Sequence, residues 1–121
     1  MKNEVNEIVK PIILRDTETK AEYTLEFDKE SVKFAEDHGF IISQVPNFPM
    51  TGIHDFFYYA FRKHHKNLSR QQTDKILDEE LGGVGGLPQG FIERLNQLYS
   101  VPFDNMVDEE SGKNSKMQIE M

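Results

Sequence analysis

The chain of 121 residues contains no cysteine, so neither disulfide staples nor thiolate metal sites are open to it, and nothing argues for an oxidising compartment. It has no long apolar run either. The opening MKNEVNEIVK alternates charge with single apolar residues, where a signal peptide or membrane span needs a continuous apolar stretch; the expectation is a cytoplasmic protein with no membrane partner. Positive charge is in deficit: 14 Lys and Arg stand against 21 Asp and Glu, a formal net charge of −7. Such a chain repels a phosphate backbone on average, so nucleic acid would need a local basic patch. Also missing are an HExxH pair, histidines four apart on one helix, and a hydroxyl nucleophile in a recognisable setting. The carboxylate pairs Glu36-Asp37 and Asp108-Glu109-Glu110 fall at a cap or in a tail, where solvation is the ordinary state. These absences predict a protein that is not an enzyme and has no metal or cofactor.

What is there suffices for one packed domain. A chain of this length buries roughly two thirds of its unfolded surface, and nine Phe and four Tyr supply the core. Ile12-Ile13-Leu14 and the alternation Tyr23, Leu25, Phe27 predict two strands joined by a longish polar loop, with the second trio sharing a buried face. FDKESVKFAEDHGF predicts a complete short helix, capped by Asp28, stopped by Gly39, and stapled by Phe27 and Val32. Ile41, Ile42 and Val45 are expected to tuck in along a connector that Pro46 and Pro49 keep from becoming helical. Ser69 to Gln72 fits a capping box for a peripheral helix through about Leu81, with Asp74 and Asp78 at like-charge spacing. GGVGGLPQG predicts a flexible interhelical break; it lacks the Gly-Lys-Ser/Thr ending and the preceding strand of a phosphate loop. Pro88 is expected in the first turn of a helix carrying Phe91, Ile92, Leu95, Leu98 and Tyr99 on one stripe. Pro102 is expected to bend or end it, with Phe103, Met106 and Val107 in a last short turn. The fold class is α+β: an N-terminal antiparallel hairpin packed on about four helices over residues 1–107. Residues 108–121 are expected to form a disordered polar tail, with Met117 to Met121 as a partner-induced strand.

The densest chemistry is FFYYAFRKHHKNLS, residues 56 to 69. At about 100° per residue, Ile53, Phe56, Phe57, Ala60, Phe61 and His64 share an arc of about 140° with Asp55, Arg62 and Lys66 opposite, which predicts an amphipathic core helix. Tyr58 and Tyr59 fall on its shoulders, with rings that can bury and hydroxyls that stay wet. His64 and His65 project about 100° apart and cannot easily grip one ion. Arg62, Lys63 and Lys66 suit a helix C-terminus; with Arg70 they also make up a basic patch, and the alternative function is a small nucleic-acid-binding regulator using these four.

The run YTLEFDKESVKFAEDHGF, then PMTGIHDFFYYAFRKHHKNLSRQQTDKILDEEL, then FIERLNQLYSVPF, resembles the small tail assembly chaperones of long-tailed bacteriophages and prophages, over roughly residues 20 to 107. The similarity is one of order and spacing: strand, capped helix, aromatic helix ending in Lys and His, acidic helix, and a helix before Pro. The resemblance implies a chaperone that binds the tape measure protein, keeps it soluble while tail tube subunits polymerise, and is absent from the mature virion. It further implies a host-cytoplasm location, multiple copies or a homo-oligomer on the client, a possible contact with the major tail tube protein, and, in related systems, a longer frameshifted form. Tyr58, Tyr59, Met106, Met117 and Ile119 are the expected adaptable partner contacts.

Overall fold

Ile12–Arg15 (β1) and Glu22–Leu25 (β2) form an antiparallel hairpin with Ile12 opposite Leu25 and Arg15 opposite Glu22. No glycine makes the turn; Asp16 builds it. Its carboxylate accepts the Glu18 N–H at 2.8 Å and the Thr19 N–H at 3.0 Å, an Asx turn that lets Lys20 take a left-handed φ of 69°. The bonds from Thr19 and Glu18 hold the Asp16 carboxyl below its usual pKa. Leu25 and Phe27 are buried and Tyr23 is half-buried, so the expected face is the inner one. The computed structural model describes residues 8–106 together with Met117 and Glu120, and side chains as far as Asp104. The expectations for Val107, the Met106 side chain, Ile119 and nearly all of 108–121 therefore lie outside the described residues.

Lys29–Asp37 (α1) begins at a reciprocal capping box. Asp28 accepts the Ser31 N–H at 2.8 Å, and the Ser31 hydroxyl accepts the Asp28 N–H at 2.8 Å. Gly39, at φ 90°, turns the chain out of the helix. In the connector, Ile42–Gln44 make one 3-10 turn. Val45 is buried and Ile42 partly so, but Ile41 points outward at 59% exposure, against expectation. Ile41 is extended (φ −125°, ψ 107°) directly after the buried Phe40, and in extended chain successive side chains alternate sides.

Pro49–Ala60 (α2), with proline at its first turn, is the central helix. Phe56, Phe57, Ala60 and Phe61 are all buried and gather rings from other elements: Phe27 and Phe40 on Phe56, Tyr23 on Phe61, Phe91 on Phe57. The helix stops earlier than its pattern. Glu26 N–H takes the Ala60 carbonyl at 3.0 Å, the acceptor that His64 N–H would need in a continuing helix. His64 thereby leaves the buried stripe and is exposed.

Arg70–Lys75 (α3) starts at the Ser69 and Gln72 capping box. Instead of continuing regularly to Leu81, the chain widens into a π turn over Ile76–Glu80, closed by Leu81 N–H on the Ile76 carbonyl at 2.9 Å. This segment is less peripheral than expected, for Thr73, Ile76 and Leu77 are buried. The Thr73 hydroxyl tolerates burial by donating to the Arg70 carbonyl at 3.1 Å. Pro88 lies outside the last helix: a turn closed by Phe91 N–H on the Pro88 carbonyl, with Gly90 at φ 87°, leads into Phe91–Met106 (α4). Phe91, Leu95, Leu98 and Tyr99 are buried as the stripe predicts. Pro102 sits inside α4 without ending it. The architecture is α+β, a hairpin on four helices. Among the described residues no helix is long and apolar enough to cross a membrane.

Candidate protein-docking surface

The basic run is folded into internal pairs. Arg62 lies with its guanidinium carbon 3.8 Å from the Phe34 ring centroid, a stacking contact that uses its charge. Lys63 pairs with Glu26 at 3.1 Å, Lys66 with Glu30 at 3.9 Å, and Arg70 with Asp55 at 2.7 Å and Asp74 at 3.0 Å. The like-charge spacing of Asp74 and Asp78 is relieved because Asp78 turns instead to His54 at 2.7 Å. Burial disfavours charge on Glu26, but the bonds from His64 and Lys63 outweigh it and keep the carboxyl below its usual pKa. A cleft of about 530 Å³ opens between α1 and the segment after α2, in which Asp28, Glu30 and Asp37 interleave with Lys33, Arg62, Lys63 and Lys66.

The four histidines are separated by role. His64 Nε2 meets the Glu26 carboxylate at 2.8 Å, whereas His65 Nε2 accepts the Thr24 N–H at 2.9 Å. His54 presents Nδ1 to the Met50 carbonyl and Nε2 to Asp78, both at 2.7 Å; His38 Nδ1 meets the Phe34 carbonyl at 2.7 Å. Among the described residues there is no group of three or more His, Cys, Asp or Glu side chains placed to hold a metal ion.

Of the expected contact residues, Tyr59 is only 7% exposed and stacks among Phe34, Phe40 and Tyr58. Its ring belongs to the core rather than to a shoulder of α2, because α1 and Phe40 close over that side. Tyr58 is half-buried, its ring 5.9 Å from the Arg70 guanidinium. Met117 is exposed.

The free apolar surface lies elsewhere. Phe48 is 65% exposed, Ile41 59% and Phe103 38%, and two grooves connect them. One, about 220 Å³, runs between Ile41, Val45 and Phe48. Its floor is Gly52, where a Cβ would come within 2.9 Å of the Val45 Cα, so only glycine lets α2 lie this close to the connector. The other, about 530 Å³, runs between Ile41, Ile42, Tyr99 and Phe103. Phe40 and Ile41 border both, which makes Ile41 a ridge between two depressions. The charged residues lining them are Glu36 and Asp55, with no Lys, Arg or His. Burial, helped by the Glu36 charge, pushes the Tyr99 hydroxyl up to about 12, so it stays a neutral donor at the groove. An apolar ridge between grooves suits the capture of apolar side chains from another polypeptide. The sequence signal that marks this surface is Phe48 standing between Pro46 and Pro49, an aromatic in a segment that no regular element can bury.

A family described as a domain of unknown function (DUF5055) matches residues 4–121. No curated protein and no solved structure matches the chain.

Proposed function

This chain belongs to the DUF5055 family, and we propose that it is a phage or prophage tail assembly chaperone that binds the tape measure protein and keeps it soluble while the tail tube assembles. The observation that carries this reading is the Phe48–Ile41–Phe103 ridge, an exposed apolar surface on a chain of formal net charge −7. Acidity keeps a chaperone–client complex dispersed, while the apolar ridge masks apolar stripes on the client. The resemblance of residues 20–107 to small tail assembly chaperones supports the same role. The mechanism is reversible covering without nucleotide chemistry. Several copies act along one client, because a helix rises 1.5 Å per residue and one small domain spans only a short part of it. The site of action is the host cytoplasm, and the protein is absent from the finished virion.

The test is co-expression with the long helical protein encoded nearby. The chaperone is expected to raise that protein's soluble fraction and to migrate with it in one gel-filtration peak. Unchanged solubility with separate peaks would overturn the proposal.

A further inference from the structure

We infer that the paired grooves around Ile41 take a cationic amphipathic helix, which seats apolar residues of one face on either side of Ile41 and directs Lys or Arg toward Glu36. This rests on the client-binding reading and specifies the chemistry of the client segment. Two depressions separated by one ridge require an occupant with apolar side chains spaced along one face, as an α-helix offers at three- and four-residue intervals. An extended segment would need a strand edge to satisfy its backbone. The groove walls come from α1, the connector, α2 and α4, and supply no strand edge. A helix satisfies its own backbone and asks the grooves only for apolar contact.

Charge complementarity sets the sign. Glu36 and Asp55 are the charged residues lining the grooves. Asp55 is engaged by Arg70 at 2.7 Å, whereas Glu36 is exposed and has no ion-pair partner among the described residues. An anionic flank on the incoming helix would face these carboxylates, and a cationic one is attracted by them.

The experiment uses three synthetic helical peptides with one shared leucine face and flanks of Lys, Gln or Glu, titrated against the full chain by fluorescence anisotropy at about 150 mM salt, where only near charges act. The Lys peptide is expected to bind best and the Glu peptide worst, at least about tenfold apart. Ile41→Ser and Phe103→Ser should each weaken the Lys peptide by about tenfold. Glu36→Lys should reverse the order of the peptides, while Glu79→Lys, on the π turn, should leave it unchanged. Thermal melts establish that each variant is folded. Equal affinity for the Lys and Glu peptides, or binding indifferent to Ile41 and Phe103, would overturn the inference. The same variants co-expressed with the tape measure protein separate the two claims. Loss of the complex on Ile41→Ser without any peptide charge order sinks only the cationic-helix inference. The peptide order without a tape measure complex sinks only the chaperone role.

Discussion

At the scale of single residues, the surroundings of two histidines shift their pKa in opposite directions. His65 Nε2 accepts a backbone N–H from Thr24, so that nitrogen must be bare. Burial lowers its pKa, with the charge of His64 adding to the effect. His54 faces acceptors at both ring nitrogens, an arrangement only the imidazolium satisfies fully. Burial opposes its charge, but the Met50 carbonyl and the carboxylates of Asp78 and Asp74 prevail and raise its pKa. The two act on opposite sides of the ordinary histidine value of 6.5. The stability His54 confers is complete below 6.5 and fades as pH rises through its raised pKa. For His65 the folded state resists protonation, so stability falls as pH drops from 6.5 toward its lowered pKa. Urea midpoints measured against pH are expected to fall on both sides; His54→Gln should flatten the alkaline side and His65→Gln the acid side. Parallel profiles for all three proteins would show that neither histidine is linked to folding. Titration aside, the largest single-residue effect belongs to the aromatic stripe. Phe57 and Phe61, each 1% exposed, should cost about 3 to 5 kcal/mol when cut to Ala, measured as a loss of unfolding free energy in denaturant.

At the scale of elements, Gly52 sets two tendencies against each other. In a helix Ala is favoured over Gly by about 1 kcal/mol, so propensity alone makes Gly52→Ala stabilising. The Cβ would meet the Val45 backbone, and backbone cannot rotate away as a side-chain tip can. Overpacking of this kind costs about 1 to 3 kcal/mol; the net expectation is destabilisation in a urea melt, accompanied by weaker binding in the groove that Gly52 floors. A more stable variant would mean that the connector yields freely. The same contrast between local and distant causes separates what could be read from the sequence. Asp28, Gly39 and the Ser69 and Gln72 pair were legible because a cap is made by residues a few positions apart. The end of α2 was not, because the bond that ends it comes from Glu26, far away in sequence, to Ala60. Pro102 reads by its own chemistry as a bend or an end, and α4 does not end there but runs through it and buries its ring. The docking surface was the least legible part. Period and polarity identify which residues of an element are apolar, but not which apolar residues remain uncovered once the elements meet. Tyr59 therefore reads as a shoulder residue and Ile41 as an inward one, whereas the structure buries Tyr59 at 7% exposure and leaves Ile41 at 59%.

At the scale of the whole molecule, the distribution of charge decides between protein and nucleic acid as partner. The four cations that make up the basic patch in the sequence are each engaged: Arg62 on Phe34, Lys63 by Glu26, Lys66 by Glu30, and Arg70 between Asp55 and Asp74. Ion pairs that solvent still reaches, as it does these, are worth only about 0 to 1 kcal/mol each in stability, so they are not there chiefly to hold the fold. Their larger effect is on the field: with each of these four cations set beside an acid or a ring, the run offers little free positive charge on a chain of net charge −7. Phosphate binding draws its energy from cations whose neutralisation releases counterions, and cations already paired release few. Duplex DNA is expected to show no retardation with this protein at about 150 mM salt. A retarded band that fades as salt rises, and that Lys63→Ala and Lys66→Ala abolish, would mean the pairs open to admit phosphate. The mixed-charge cleft beside α1 would then be a recognition site, and the apolar ridge would lose its standing as the principal surface.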